Sequence, residues 1–179
     1  MSDVTVRPLG EEDWQLFRSI RLAALSDSPD AFVASVEEEQ DYDEAFWRER
    51  MRRSTRLVAE REQDDGIEQL GVVSLGQARD DEGRIGEIFG LWVAPSSRGT
   101  GVATRLVEAS AERALEDGRS HVAYWVGTDN GRAVAFASGI GFRPTDSRRP
   151  MRVQSDDGEE EIAMLLPVGD DRGRPVFLL

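Results

Sequence analysis

Two glycines, Gly99 and Gly101, lie in a loop that opens directly into the most regular helical pattern of the chain. The backbone N–H groups in the first turn of a helix have no partner inside the helix, and together with the helix dipole they bind anions. Glycine lets a phosphate approach this backbone closely because it has no Cβ atom. The segment 94–101 therefore predicts a site for a phosphate-bearing ligand.

Three phosphate-binding motifs can be compared with this loop. The P-loop requires a lysine after its second glycine, and the chain has no lysine at all. The dinucleotide fingerprint requires a third glycine where Thr104 stands, and a parallel sheet instead of the antiparallel strands predicted before the loop. The third pattern, Arg/Gln-x-x-Gly-x-Gly/Ala, is matched at every fixed position by residues 98–103.

Hydrophobic periodicity places this loop between a strand and a helix. In chain order we predict strand 4–6, helix 11–24, helical regions 33–40 and 44–53, strands 56–62, 67–77 and 85–93, helix 102–117, strand 121–126, a short helix capped by Asn130 that runs to Ser138, and a hairpin of 142–153 with 160–166. Because a helix joins strands 85–93 and 121–126, we expect them to be parallel neighbours, whereas the other strands should be antiparallel.

Composition narrows the function classes. The 179 residues contain no cysteine, which excludes disulfides and a cysteine nucleophile. They contain one histidine, His121, which argues against a histidine-rich metal site. The net charge of −13 argues against nucleic-acid binding. Residues 98–152 nevertheless hold nine arginines against six acids, a local charge of +3, which suits an anionic ligand but on charge alone is explained equally well by chance.

Nothing in the sequence indicates a membrane or secreted protein. No apolar run approaches the ~18 residues of a membrane span, and residues 1–9 lack the features of a signal peptide. We therefore expect a cytoplasmic location. The length predicts one domain over 1–167, followed by a C-terminal tail over 168–179.

Taken with its neighbours, the loop resembles that of the GNAT family of acyl-CoA N-acyltransferases. Residues 91–95 match the family's strand end, and Asn130 with Ala133, followed by Gly141 and Phe142, resembles its later Asn…Gly-Phe element. Residues 21–32 look like the first helices of many bacterial members. The resemblance covers 4–167 and implies an α/β (α+β) GNAT fold, with a mixed, mainly antiparallel sheet of six to seven strands, helices on both faces and a splayed parallel pair at the centre.

The resemblance also implies acetyl-CoA as the acyl-donor cosubstrate and no metal. Backbone N–H groups of residues 98–104 would bind its pyrophosphate, and the main chain at the end of strand 85–93 would pair with pantetheine. The residues implied in binding are Trp92, Val93, Arg98, Gly99, Thr100, Gly101, Val102, Ala103, Thr104, Asn130 and Phe136.

The implied reaction is direct transfer of an acetyl group to a primary amine of a small molecule or peptide. A carboxylate must take a proton from the ammonium before the amine can attack, and Glu87 on strand 85–93 is the candidate base, although a strand glutamate is more often a solvated surface residue. Many family members protonate the leaving thiolate with a tyrosine seven residues after the asparagine. Here that position is Ala137, so Tyr124, Ser138 or water must substitute.

Two functions from different classes follow. The first is an active N-acetyltransferase. The second, motivated by Ala137, is an acyl-CoA-binding or regulatory module with the GNAT fold and little catalytic activity. The partners expected are an amine acceptor, with no nucleic acid and no membrane, and homodimer formation stays open. The acidity of the chain weakly favours a cationic amine.

Overall fold

The computed structural model describes residues 3–80, 83–152, 159–169 and 178. Within these residues the chain forms, in order, β1 (Val4–Leu9), α1 (Trp14–Asp27), α2 (Val36–Glu39), α3 (Glu44–Arg53), β2 (Thr55–Gln63), β3 (Gly66–Gln77), β4 (Ile85–Val93), α4 (Val102–Glu116), β5 (His121–Gly127), α5 (Gly131–Ile140), β6 (Arg143–Pro150) and β7 (Glu160–Pro167).

The strands form a seven-stranded sheet in the order β1-β2-β3-β4-β5-β7-β6. The predicted parallel pair is confirmed, because β4 and β5 run in the same direction from Ile85 opposite His121 to Ile88 opposite Tyr124. The pairs β1–β2, β2–β3, β5–β7 and β6–β7 are antiparallel. The mixed, mainly antiparallel sheet expected from the sequence is therefore confirmed.

The last hairpin places β7, and not β6, next to β5. The apolar residues of β7 fall on both of its faces, and Ala163 and Met164 are fully buried. Half of the residues of strand β6 are charged, and the strand contains Pro144 and Pro150, which cannot donate to a ladder and suit a sheet edge.

The described residues divide into two compact units, one made from Met1–Leu75 with Gly90–Ser110 and the other from Gly76–Phe89 with Ala111–Leu179. In the first unit, buried side chains of α1 and α3 pack against one face of β2 and β3. These residues are Phe17, Ile20, Trp47, Met51, Val58 and Val72. The rings of Phe17 and Trp47 meet edge to face with centroids 6.0 Å apart.

Helix α4 covers the opposite face of the first unit. Gly71 neighbours Val72 on β3, so the two positions point to opposite faces. A Cβ atom at Gly71 would lie 2.7 Å from the Trp92 carbonyl oxygen and 3.1 Å from a methyl carbon of Leu106 on α4. Helices therefore lie on both faces of this unit, as predicted. The close approach of β4 and α4 to position 71 requires glycine at that position.

The second unit has its own core. Ala78, Ile85 and Ala123 are buried together, with Leu165 and Leu178 packed against them. On β5, Tyr124 meets Phe142 edge to face, with ring centroids 6.2 Å apart.

Several element boundaries differ from the prediction. The prediction of a helical region over 33–40 is wrong, because the helix covers only Val36–Glu39. Ser35 caps this helix by accepting a hydrogen bond from the Glu38 N–H at 3.3 Å, and Val33 lies outside it and is 71% exposed. Residues Glu11–Asp13 form a 3₁₀ turn before α1.

At α5 the predicted cap is confirmed. Asn130 Oδ1 accepts a hydrogen bond from the Ala133 N–H at 3.1 Å. The helix continues two residues beyond Ser138 and ends at Gly141, whose φ of +126° favours glycine. The predicted turn at 155–158 and most of the tail 168–179 lie outside the described residues.

Candidate active site

The two-glycine loop of the first unit joins β4 to α4. After β4, Pro95–Ser97 forms a 3₁₀ turn, and the Thr100 hydroxyl donates to the Ser97 carbonyl at 2.5 Å. Gly99 and Gly101 have φ values of +75° and +88°, which side chains rarely adopt. A Cβ atom at either position would meet no atom within 4 Å. The loop backbone is therefore open to a ligand.

The helix start supplies the hydrogen-bond donors. The Arg105 N–H bonds to the Gly101 carbonyl at 3.1 Å, as in the first turn of an α-helix. The N–H groups of Val102, Ala103 and Thr104 precede that bond and have no acceptor within the helix. Donors at a helix start beside open glycines are the chemistry that a phosphate requires.

Arg98 contacts the protein itself. Its Nε donates to the Val93 carbonyl at 3.0 Å, and its Nη2 donates to the carboxylate of Asp27 at the end of α1. The same carboxylate oxygen accepts a hydrogen bond from the Trp92 indole N–H at 3.0 Å. Asp27 thus fixes two of the predicted cofactor-binding residues, and a contact of Arg98 with phosphate stays a prediction.

Sequence reasoning missed Asp27, which lies just beyond the predicted helix 11–24. Its partner Arg98 is 71 residues away along the chain, so no local spacing connects them. Hydrogen bonds from Ser28, Trp92 and Arg98 lower the pKa of Asp27 from 3.8 to about 2.

The lowered pKa of Asp27 predicts a pH effect on stability. The ionised carboxylate stabilises the fold above about pH 4, and this contribution is lost as the pH falls from 3.8 towards 2. In Asp27→Asn, which cannot titrate, the melting temperature should fall less steeply between pH 4 and pH 2 than in the native chain. Asp30→Asn, at an exposed position nearby, should follow the native curve. Thermal unfolding by circular dichroism tests this, and parallel curves for all three chains would contradict it.

In the second unit, the candidate base Glu87 belongs to a cluster of charged and aromatic residues. Its Oε1 lies 3.9 Å from Nη1 of Arg149 on β6. Arg149 Nε donates to Glu161 Oε2 at 2.7 Å, and the guanidinium lies 4.0 Å from the centre of the Trp125 ring. Glu87 is therefore a half-buried carboxylate with a cationic neighbour, and not a fully solvated residue.

Sequence reasoning also missed Arg149. Glu161 on β7 pairs with Arg149 on β6 and with Gly127 on β5. This register places Arg149 on the same face of the sheet as Trp125. This register depends on the position of β7 between β5 and β6, which the hairpin pattern alone does not specify.

The remaining predicted residues of the second unit have distinct surroundings. Burial raises the pKa of Tyr124, so its hydroxyl keeps its proton at neutral pH. Ala137 faces inward and is fully buried, whereas Ser138 is exposed. Asn130 uses its side-chain oxygen to cap α5, which leaves its amide nitrogen as a donor. Phe136 is half-buried. Contacts of Asn130 and Phe136 with pantetheine stay predictions.

The described part of the chain contains no helix long and apolar enough to cross a membrane. It also contains no group of three or more His, Cys, Asp or Glu side chains placed to hold a metal ion.

Comparison with known proteins identifies the family. Residues 17–142 match the model of the acetyltransferase (GNAT) family. An uncharacterized N-acetyltransferase of Archaeoglobus fulgidus is 40% identical over 67 residues, which are 37% of this chain and 42% of that protein. The chain thus matches less than half the length of this curated relative. It belongs to the GNAT acetyltransferase family.

Solved structures support the fold. The structure of yncA from Salmonella typhimurium with its cofactor acetyl-CoA has a TM-score of 0.68 at 20% identity, covering 97% of this chain and 98% of that one. A ribosomal-protein-alanine N-acetyltransferase from Brucella melitensis has a TM-score of 0.66 at 20% identity, covering 91% and 99%. At these identities the likeness concerns the fold alone.

Proposed function

We propose that this chain is an N-acetyltransferase that moves the acetyl group of acetyl-CoA to a primary amine of a small molecule or peptide. The observation that carries the proposal is the open loop at Gly99 and Gly101, followed by the N–H groups at the start of α4, which have no acceptor within the helix. In a member of the GNAT family, this anion site fits the pyrophosphate of coenzyme A.

The first unit supplies the contacts expected for the cosubstrate. The N–H groups of residues 98–104 bind the pyrophosphate, and the main chain of Trp92 and Val93 pairs with the pantetheine arm. Asp27 supports both sets of contacts, because it holds the Trp92 indole and the Arg98 guanidinium. A main-chain N–H near Val93 stabilises negative charge that develops on the thioester oxygen.

The reaction requires a base that deprotonates the ammonium group of the acceptor and a proton for the thiolate of the departing coenzyme A. Glu87 takes a proton from the ammonium, directly or through water, and the freed lone pair forms the bond to the acetyl carbon. The carbon–sulfur bond breaks with its electron pair on sulfur. The second amine proton is lost as the amide forms, and one proton ends on the thiolate, so that the products are an N-acetyl amine, coenzyme A and one released proton.

The thiolate does not need a dedicated acid. A thiol has a pKa of ~8.5, so at neutral pH its thiolate takes a proton from water. We expect Tyr124→Phe and Ser138→Ala each to lower kcat by less than about tenfold, below the ordinary contribution of a positioned acid. Steady-state kinetics with the best amine measures this. A hundredfold loss in Tyr124→Phe, with the fold intact by circular dichroism, would show instead that the acid lies on β5.

Acetyl-CoA-dependent release of free thiol with a panel of primary amines tests the proposed function. Turnover with at least one amine supports it. Because Ala137 replaces the family's tyrosine, the second candidate is a module that binds acyl-CoA without transferring the acyl group. Calorimetric binding of acetyl-CoA together with no thiol release above the amine-free rate would favour that module.

A further inference from the structure

Three arginines of the first unit lie around a buried carboxylate. Glu39 of α2 is 2% exposed. Arg21 Nε of α1 donates to both of its oxygens, at 3.0 and 3.3 Å, and Arg50 Nη1 of α3 donates to Oε1. Arg56 of β2 joins them, because its Nη2 donates to the Arg50 carbonyl at 3.1 Å. We refer to Arg21, Glu39, Arg50 and Arg56 as the guanidinium cluster.

The cluster carries excess positive charge inside an acidic protein. Burial, together with the positive charges of Arg50 and Arg21, lowers the pKa of Arg56 to about 9, and Glu39 opposes this with a smaller effect. Buried charges of one sign are costly unless an opposite charge lies near them. An anion that contacts these guanidinium groups would reduce their repulsion.

The guanidinium cluster is partly exposed to solvent and is bordered by aromatic side chains. The side chains of Arg21 and Arg50 keep 16% and 18% of their surface exposed. Arg21 lies 4.8 Å from the centre of the Phe32 ring, and Arg50 lies 5.8 Å from that of Phe46. Tyr42 and Phe46 are exposed and stack with ring centroids 3.9 Å apart. A ligand with an anionic group and an apolar body would complement both parts.

The cluster also adjoins the strand proposed to present the thioester. Arg56 Nη1 donates to the Ser74 hydroxyl. A Cβ atom built on Gly90 of β4 would lie 3.8 Å from that hydroxyl oxygen, and Gly90 precedes Trp92 by two residues. Trp92 itself packs against the core that contains Phe17 and Trp47. The Arg50 guanidinium lies 4.9 Å from the Trp47 ring, and that of Arg56 lies 4.8 Å from Phe17.

We propose that Arg21 and Arg50 bind a carboxylate of the acceptor, so that the preferred acceptor is an amino acid with an apolar side chain. The planar guanidinium fork matches a carboxylate and is the usual choice for binding one at a partly buried site. Glu39 holds the two guanidinium groups in place and competes with the acceptor for them. This inference rests on the proposed N-acetyltransferase function and makes uncharged or purely cationic amines poor acceptors.

Matched pairs of amines test the inference in the native chain. Each pair consists of an amino acid and the amine that lacks its carboxylate: phenylalanine with 2-phenylethylamine, leucine with isoamylamine, and tryptophan with tryptamine. We expect kcat/KM to be at least tenfold higher for the amino acid in the best pair. Equal or higher kcat/KM for the amines would overturn the inference and leave the proposed function intact. Acetyl-CoA binding without turnover on any amine would overturn both.

Charge variants separate recognition from a structural role. Arg50→Gln should raise KM for the amino acid at least tenfold and leave KM for its matched amine unchanged. Glu39→Gln should lower KM for the amino acid, because the glutamine oxygen can still accept hydrogen bonds that hold the guanidinium groups while the competing negative charge is removed. Arg53→Gln, at a 68% exposed position of the same helix, is the control and should change neither KM.

A purely structural cluster predicts a different result. In that case Arg50→Gln and Glu39→Gln would affect both members of a pair equally, and this outcome would overturn the inference. Thermal unfolding shows which variants fold. If Arg50→Gln does not fold, Arg21→Gln replaces it, and the comparison of matched amines with the native chain does not depend on either variant.

Discussion

Replacing Gly101 by glutamate is expected to weaken acetyl-CoA binding by about a hundredfold. The new carboxylate would lie beside the proposed pyrophosphate site, and a like charge ~4 Å away costs about 1 kcal/mol in water and about 4 kcal/mol at the effective dielectric near a protein surface. Because a Cβ atom at this position meets nothing within 4 Å, the effect would come from charge and backbone conformation and not from a clash.

A matched control isolates the effect of the position of the new charge. Gly118 follows α4 with a φ of +79° and also has no atom within 4 Å of a built Cβ. Gly118→Glu therefore imposes similar backbone strain and the same charge at the other end of the helix, and it should bind acetyl-CoA like the native chain. Isothermal titration calorimetry compares the three proteins. Equal dissociation constants for Gly101→Glu and the native chain would contradict the assignment of the pyrophosphate site.

Replacing Glu87 by glutamine is expected to lower kcat/KM by about a hundredfold or more, where a hundredfold is the lower end of the range for a positioned general base. The loss should shrink as the pH rises, since more of the acceptor amine is then already neutral. Glu161→Gln is the control, because Glu161 also binds Arg149 but is not assigned to proton transfer. It should cost less than about tenfold, below the ordinary contribution of general-base catalysis.

Two results would contradict the role of Glu87. A pH–rate profile of Glu87→Gln that is parallel to the native profile would show that no base was removed. Equal losses in Glu87→Gln and Glu161→Gln would show that the cluster around Arg149 acts through structure.

The elements that follow from local patterns were predictable. Helix α4, the two glycines of the loop before it and the cap at Asn130 follow from short-range patterns, and the structure has each of them at the predicted place. The parallel pair of β4 and β5 followed from the helix that connects them. The short helix α2 was overpredicted, because the apolar residue Val33 was interpreted as helical although it is exposed.

The side-chain clusters could not be predicted from spacing. Glu39 meets Arg21 across 18 residues, and Asp27 meets Arg98 across 71. Such pairs depend on how α1 and its neighbours pack, which periodicity does not encode. Sequence reasoning interpreted the overall acidity as favouring a cationic amine, whereas the guanidinium cluster supports an acceptor that carries a carboxylate.

We propose that the acetyl group passes directly from acetyl-CoA to an amine. Mass spectrometry after incubation with acetyl-CoA labelled with ¹³C in its acetyl group tests it most directly, with phenylalanine and 2-phenylethylamine as acceptors. We predict labelled N-acetyl product in an amount equal to the coenzyme A released, and no label on the protein. Bound acetyl-CoA that leaves both amines unlabelled, or label that accumulates on the protein before it reaches the amine, would contradict the account.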